Sequence, residues 1–270
     1  MKNTLISFDG TPIIYETRGQ GPGLIIIHGA LSDIGEYTQL AAALSEKFTV
    51  HLLQRRDRAG ARKDYSITHD CNDLLALQQA TGAAFLFGHS YGGLVALEAV
   101  VHNNPFKKIV VYEPGVSIAG NWHWLGIYDA AMARNQYRKA FTAFVQGMGH
   151  SPLSKAPAWL ANLILRIAIK GEDWQLKKSV LGTNLREHLE VKRLEGSYRK
   201  YASLSTPVLL AGGTASPDFI THMLHELKQT IPLAVVALLP GLHHLSPTNH
   251  EDPAKVAAQV SSYLSSGCEK

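Results

Sequence analysis

The segment AAFLFGHSYGG, residues 83–93, places one serine between glycines directly after an apolar run. A sharp turn from a buried strand into a helix can hold its central residue in a sparsely populated backbone conformation and expose that side chain above the sheet. Gly88 and Gly92 would supply the space that such a turn needs, and the apolar stretch Gly93–His102 follows at once. The pattern predicts that Ser90 is a nucleophile exposed at a strand-to-helix turn, and it disfavours an ordinary turn that happens to contain a serine.

Short apolar runs recur along the chain with amphipathic stretches between them. Runs that are apolar on both faces are typical of strands in a parallel sheet covered by helices on both sides. The alternation predicts an α/β fold with a mostly parallel, doubly wound sheet of about eight strands. The predicted parallel strands are Leu24–Ile27, Val50–Leu53, Phe85–Phe87, Ile109–Tyr112, Val208–Ala211 and Val235–Leu239. An antiparallel pair precedes them, Thr4–Phe8 and Ile13–Arg18, joined by the hairpin signal Asp9-Gly10. The predicted helices between strands are Tyr37–Glu46, Asn72–Gln79, Gly93–His102, Phe219–Gln229 and Pro253–Leu264.

One long segment interrupts this alternation. Residues 115–203 contain helical patterns and many aromatic side chains, but no convincing strand. We therefore expect a core formed by residues 1–114 and 204–270, with 115–203 inserted between the sixth and seventh strands as a helical cap over one end of the sheet. Three of its aromatic residues are candidates either for an apolar substrate pocket or for simple packing of the cap: Trp122, Trp124 and Trp159.

Composition and charge argue against several classes of protein. The 270 residues carry a net charge of +4, but the basic stretch Gln54–Lys63 has no interleaved aromatic residues, so no nucleic-acid partner is expected. The glycines of Gly19–Gly23 precede a strand and do not open a helix, which argues against a dinucleotide cofactor. Cys71 and Cys268 lack metal-binding spacing, and the helical pair His222 and His225 has no third ligand in view, so neither a metal nor another cofactor is expected.

The sequence also bears on location and partners. It shows no uninterrupted apolar run of about 18 residues, and its first residues lack the pattern of a secretion signal. We expect a cytoplasmic protein with a small-molecule substrate and no membrane partner. A homodimer is compatible with the sequence.

Three motifs in a fixed order resemble the α/β-hydrolase superfamily. They are HGA at residues 28–30, GHSYG at 88–92 and PGLHH at 240–244. The resemblance extends over residues 1–114 and 205–264 and leaves the predicted cap unmatched. The arginine-rich turn after the fourth strand is also similar, with one family glycine replaced by Ala59. The resemblance implies a cofactor-free serine hydrolase with a Ser, acid, His order along the chain.

A serine hydroxyl is a weak nucleophile at neutral pH, so it needs a neighbouring base, almost always histidine, and a third group that orients this base. His244 follows the turn at Pro240-Gly241 after the last predicted strand. In the superfamily the base usually lies three residues after such a glycine, which favours His244. The adjacent His243 stays as an alternative, since only one of the two rings can reach Ser90.

Two carboxylates compete for the role of the acid. In the superfamily's commonest layout an aspartate lies three residues after a glycine that follows the seventh strand, but the positions here are Ala215 and Ser216. Asp218 is near, yet Ser216-Pro217 before it reads as the capped start of a helix, with Asp218 in its first turn. Glu113 ends an apolar strand where a lone charge is costly to bury, and some similar superfamily members carry their acid there. We favour Glu113 and keep Asp218 as the alternative.

Acyl transfer also needs donors for the developing oxyanion, and fixed backbone N–H groups suit this task. Tyr91, directly after the nucleophile, supplies one, and the resemblance implies Ala30 as the other. His28 and His89 are then expected to brace their loops. The predicted reaction is hydrolysis of a small, apolar ester, thioester or lactone through an acyl-enzyme on Ser90. Two rivals use the same fold: a lyase or cofactor-free oxygenase that only shuttles protons, and a non-catalytic ligand receptor.

Overall fold

The computed structural model describes residues 2–56 and 65–266. Its strands are β1 (Lys2–Ile6), β2 (Pro12–Arg18), β3 (Gly23–Ile27), β4 (Thr49–Gln54), β5 (Phe85–His89), β6 (Lys108–Tyr112), β7 (Val208–Gly213) and β8 (Ala234–Leu239). Its α-helices are α1 (Thr38–Leu44), α2 (Ile67–Thr81), α3 (Tyr91–Val100), α4 (His123–Ala133), α5 (Tyr137–Met148), α6 (Ala158–Ala168), α7 (Gly171–Ser179), α8 (Leu181–Arg193), α9 (Asp218–Thr230) and α10 (Pro253–Ser265). Short 3-10 turns cover Ile34–Tyr37, Pro152–Lys155 and Ser197–Ser203.

Within the described residues, the eight strands form one sheet in the order β1-β2-β4-β3-β5-β6-β7-β8. β1 and β2 pair antiparallel, as do β2 and β4, while the pairs from β4 through β3 to β8 are parallel. The predicted α/β fold with its antiparallel edge is therefore confirmed. Because the chain order reverses at β3, the carboxyl ends of the neighbouring central strands form the usual ligand crevice of such sheets.

Helices cover both faces of this sheet because the strand side chains alternate in direction. On one face, Leu24 and Ile26 of β3 pack in a buried cluster with α1 and α10. On the other, Ile25 and Ile27 are also fully buried, and α2, α3 and α9 lie on that side. Burial of apolar side chains on both faces explains why the central strands are continuous apolar runs.

Two sequence interpretations need correction at the edges of elements. β8 is the last strand of the sheet, so it is not buried on both faces, and Val235 is 46% exposed. His102 does not lie on a helix, since α3 ends at Val100. The other predicted strands occur with shifted ends; the first runs over Lys2–Ile6, which leaves Phe8 in the turn before β2.

The described chain divides into two compact units. The first holds residues 2–56, 67–116 and 197–266, and the second holds 65–66 and 117–196. These limits fall close to the expected ones, and the role of the second unit as a cap stays a prediction. Inside the second unit, the Trp124 ring contacts the rings of four other residues, Trp122, Tyr128, Phe144 and His188, whereas Trp159 is 70% exposed.

The predictions about membrane spans, cysteines and the basic stretch can be compared with the described residues only in part. None of the helices within 2–56 and 65–266 is long and apolar enough to cross a membrane. Cys71 is a buried free thiol. The described residues do not include Cys268, and they do not include positions 57–63 of the basic stretch, among them Ala59.

Candidate active site

The GHSYG segment forms the predicted strand-turn-helix. Ser90 lies between β5 and α3 with φ 54° and ψ −123°, a strained conformation for a residue with a side chain. Its N–H donates to the Tyr112 carbonyl at 3.0 Å, which fixes the turn against β6. A Cβ on Gly92 would collide with the backbone carbonyls of Ile27 and His28. Gly92 is therefore required by a close backbone approach, in agreement with the space that the turn was predicted to need.

The structure brings Ser90, His244 and Glu113 together. The distance from Ser90 Oγ to His244 Nε2 is 3.0 Å, and that from His244 Nδ1 to Glu113 Oε2 is 2.9 Å. Since a carboxylate only accepts, Nδ1 carries the proton and Nε2 can accept the hydroxyl proton of Ser90. The three side chains come from the turn after β5, the position directly after β6 and the loop after β8. This arrangement can take a proton from the serine and hold the resulting imidazolium.

The two adjacent histidines point in different directions. The Nε2 atom of His243 lies 3.1 Å from Glu251 Oε2. The His243 side chain is 40% exposed, whereas that of His244 is 15% exposed. Tyr112 and Ser246 bind the backbone of His243: the Tyr112 hydroxyl donates to its carbonyl at 3.0 Å, and its N–H donates to Ser246 Oγ at 2.9 Å. Of the two candidate bases, His244 is thus the one whose ring contacts Ser90.

Glu113 is held as a buried carboxylate by several donors. Its φ of 43° is unusual for a residue with a side chain, and Pro114 follows it directly. Oε1 accepts the N–H of Gly213 at 2.9 Å and the hydroxyl of Ser216 at 2.6 Å. Burial alone would raise the pKa of this carboxyl, but the imidazole of His244 and these two donors outweigh it and hold the pKa below its ordinary value. Glu113 therefore stays ionised at neutral pH.

The interpretation of Ser216 as a helix N-cap is wrong. α9 begins at Asp218 with Pro217 at the N-cap position and no side-chain cap, while the Ser216 hydroxyl binds Glu113. A charge-assisted bond to a buried carboxylate is stronger than a cap at an exposed helix end, which explains why the tertiary contact wins. Asp218 lies exposed in the first turn of α9, where the helix dipole favours it. Thus Ser216, one of the two positions where the superfamily's commonest layout would place its acid, donates instead to the carboxylate of Glu113 directly after β6.

Ser216→Ala is expected to destabilise the fold by about 1.5–3 kcal/mol at neutral pH, the range for a hydrogen bond to a charged group. The folded-state pKa of Glu113 is lowered, so its ionised form stabilises the protein above the ordinary carboxyl pKa of about 4.3. That contribution is lost as pH falls through the lower, folded-state pKa. The stability difference between the variant and wild type should therefore shrink over this pH range in urea denaturation curves.

The matched control is Ser203→Ala. The Ser203 hydroxyl donates to the Lys200 carbonyl at 2.9 Å, which does not titrate. The effect of this control on stability should not change with pH between neutral and about pH 3. A pH-independent effect for Ser216→Ala as well would contradict a role in holding the ionised carboxylate.

The loop of His28, Gly29 and Ala30 lies beside Ser90. A Cβ on Gly29 would be 3.2 Å from Ser90 Cβ. The Gly29 carbonyl accepts from Arg55 Nη2 at 2.8 Å and from His28 Nδ1 at 2.9 Å. Because the C=O and N–H of one trans peptide point in opposite directions, this directs the Ala30 N–H away from Arg55. His28 braces its loop as expected; the donor role of Ala30 stays a prediction.

Arg55 was not anticipated as a part of this site. Its side chain is 1% exposed, and Nη1 pairs with Asp70 Oδ2 at 3.1 Å. Nε donates to the His28 carbonyl at 3.0 Å, and the guanidinium lies 4.8 Å from the Tyr91 ring centroid. Tyr91 begins α3, so its N–H is at the positive end of the helix dipole, which suits its predicted role as an oxyanion donor beside Ala30. The buried cation thus organises the loop that faces the nucleophile.

The comparisons with known proteins identify the family. A family model described as "Alpha/beta hydrolase family" matches residues 24–259, so the chain belongs to the α/β hydrolase family. An α/β hydrolase from Sphaerobacter thermophilus superposes with a TM-score of 0.82 and 29% identity, covering 97% of this chain and 100% of that one.

Several curated relatives carry the same name, pimeloyl-[acyl-carrier protein] methyl ester esterase, and two of them illustrate the range of the match. The one from Nitrosomonas europaea is 22% identical over 240 residues, 85% of this chain and 91% of that protein. The one from Vibrio cholerae serotype O1 is 27% identical over 116 residues, so the match spans 43% of this chain and 46% of that relative.

Proposed function

We propose that this protein is a serine hydrolase that cleaves carboxylic esters, thioesters or lactones through an acyl-enzyme on Ser90. The observation that carries the proposal is the pair of hydrogen bonds from Ser90 Oγ to His244 Nε2 at 3.0 Å and from His244 Nδ1 to Glu113 Oε2 at 2.9 Å. A strained, positive-φ serine at the end of a parallel strand adds support, because such strain is found at functional sites. The esterase names of two relatives support an ester as substrate.

In the proposed mechanism, Ser90 Oγ attacks the acyl carbon while its proton passes to His244 Nε2. Glu113 stays ionised and stabilises the imidazolium. The N–H groups of Ala30 and Tyr91 bind the oxyanion of the tetrahedral intermediate. His244 then gives the proton to the leaving oxygen or sulfur, which departs as an alcohol or thiol. A water molecule, deprotonated by His244, attacks the acyl-enzyme, and the same proton returns to Ser90 when the acid is released.

We propose a small, apolar acyl group. Support comes from the aromatic side chains of the second unit, in which a cavity of about 380 Å³ is lined by Trp124, Ile127 and Ala143 together with polar side chains such as Lys139 and Gln146. Pockets for small ligands combine apolar and aromatic side chains with a few polar groups that fix the orientation of the ligand. A series of p-nitrophenyl esters with acyl chains of increasing length reports directly on the preferred acyl size.

A fluorophosphonate probe and p-nitrophenyl esters test the proposal together. Wild type should be labelled at Ser90, shown by peptide mass spectrometry, and should turn over at least one ester. Ser90→Ala should lose both activities, and His244→Ala should lose nearly all ester turnover. His243→Ala is the matched control, because its ring contacts Glu251 instead, and it should retain both activities.

Two outcomes would contradict the proposed hydrolase activity. Labelling at Ser90 without turnover of any ester would favour a lyase or oxygenase that uses the same groups for proton transfer. A chain that neither reacts with the probe nor turns over an ester, although correctly folded, would favour a ligand receptor.

A further inference from the structure

A buried histidine in the nucleophile turn lies between the two loops that the proposed mechanism uses. His89 is 2% exposed and directly precedes Ser90. Its Nε2 lies 2.8 Å from the backbone carbonyl of His244, and its Nδ1 lies 2.5 Å from the Tyr37 hydroxyl. That hydroxyl in turn accepts the N–H of Gly29 at 3.2 Å. One continuous chain of hydrogen bonds therefore joins the loop of the proposed base to the loop of the proposed oxyanion donor.

The direction of every bond in this chain is determined. A carbonyl only accepts, so His89 Nε2 carries the proton that it donates to His244. Burial, followed by the charge of the nearby His244 ring, lowers the pKa of His89 well below its ordinary value, so the imidazole is neutral and Nδ1 is an acceptor. Tyr37 must then donate to Nδ1 and use its oxygen to accept from Gly29. Burial raises the pKa of Tyr37, so its phenol keeps its proton.

The two ends of this chain of hydrogen bonds are backbone groups of Gly29 and His244, which lie next to the proposed reacting groups. Gly29 precedes Ala30, whose N–H is the proposed oxyanion donor, and a Cβ on Gly29 would lie 3.2 Å from Ser90 Cβ. At the other end, the bond to the His244 carbonyl fixes the backbone of the residue whose ring bridges Ser90 and Glu113. A shift in either loop would lengthen a bond on which proton transfer or oxyanion binding depends.

We propose that the Tyr37–His89 link, meaning these two side chains with their bonds to Gly29 and His244, is a positioning device. It sets the base and the oxyanion donor against Ser90 as one unit, so that displacement of one loop displaces the other. The inference rests on the proposed serine hydrolase and deepens it. Neither residue exchanges a proton with the substrate, and the link acts only through Gly29 and His244.

Three substitutions separate the bonds of the link. Tyr37→Phe removes the hydroxyl and keeps the ring. His89→Asn keeps an acceptor near the Nδ1 position but loses the donor to His244, whereas His89→Gln can place an amide donor near the Nε2 position. We expect Tyr37→Phe and His89→Asn each to lower kcat by about 10- to 100-fold, as is typical for small misplacements of reacting groups, with KM little changed. His89→Gln should recover part of the loss relative to His89→Asn.

The link also predicts non-additivity. Because both residues act through one chain of bonds, the double variant Tyr37→Phe/His89→Asn should be little slower than the slower single variant. The rate constant for fluorophosphonate labelling of Ser90 should follow the same order, since it depends on the same base and donors. Tyr201→Phe is the matched control: it removes another buried hydroxyl, which donates to Glu98 Oε1 at 2.5 Å, and should change thermal stability but not the labelling rate.

The experiment distinguishes failure of this inference from failure of the proposed function. If Tyr37→Phe and His89→Asn are labelled and turn over esters at the wild-type rate, the link does not position the site and the inference is wrong. If their losses simply multiply in the double variant, the two side chains act separately and the inference is also wrong. If wild type is not labelled at Ser90, the proposed function itself fails.

Discussion

Replacing Glu113 by glutamine is expected to lower kcat for ester hydrolysis by about 10⁴-fold, the loss seen when the acid of a serine triad is made neutral. The amide no longer stabilises the imidazolium, and its NH₂ group, if it faces His244, stabilises the tautomer in which Nε2 carries the proton. That tautomer cannot accept the proton of Ser90. Steady-state kinetics with a p-nitrophenyl ester measures the loss, and KM should change little because the substrate does not contact Glu113 in the proposed mechanism.

Asp218→Asn is the control for this experiment. Asp218 is exposed in the first turn of α9, so its loss should cost only a helix-dipole contact of about 0.3–1 kcal/mol in stability and leave kcat close to wild type. The reverse pattern, with a severe defect in Asp218→Asn and a mild one in Glu113→Gln, would assign the acid to Asp218 and would falsify the mechanism proposed above.

The fold could be predicted from local sequence because most strands inside the sheet are apolar runs, and even β4 interrupts its run only with His51. Phe85–Phe87 illustrates this, since its side chains are all buried in β5. The ends of elements were less predictable, because polar residues join a strand or helix whenever a neighbour supplies hydrogen bonds. Thr49 extends β4 beyond its apolar residues, and α2 begins five residues earlier than the apolar pattern of Asn72–Gln79 indicated.

At the site, the sequence identified residues whose role follows from a local motif but missed those that act through distant contacts. Ser90 is recognisable because Gly88 and Gly92 flank it in the turn after an apolar strand, and His244 because it follows the turn at Pro240-Gly241 after the last strand. The local sequence around Ser216 indicates a helix cap, and only the folded chain shows that its hydroxyl donates to Glu113, 103 residues away. The bond between Tyr37 and His89 spans 52 residues, so no spacing rule could indicate it.

The buried ion pair of Arg55 and Asp70 leads to the second large expected effect. Both side chains are 1% exposed, so Arg55→Met would leave the Asp70 carboxylate buried without its cation. Removing one partner of a buried pair typically destabilises a protein by about 3–5 kcal/mol. Urea denaturation should show this as a lower midpoint at an unchanged m value. Arg18→Met is the control. Its lost ion pair with Glu16 is partly exposed, so the free energy of unfolding should fall by only about 0–1 kcal/mol.

A double variant separates the effect of Arg55 on stability from its effect on the oxyanion loop. In Arg55→Met/Asp70→Leu both charges of this pair are removed together, and such replacements are often neutral or stabilising, so much of the lost stability should return. The Gly29 carbonyl still lacks its donor from Arg55, so the rate of fluorophosphonate labelling at Ser90 should stay below wild type. Recovery of the labelling rate together with stability would mean that Arg55 acts only through the fold, because the Ala30 N–H would then be held in place without the guanidinium.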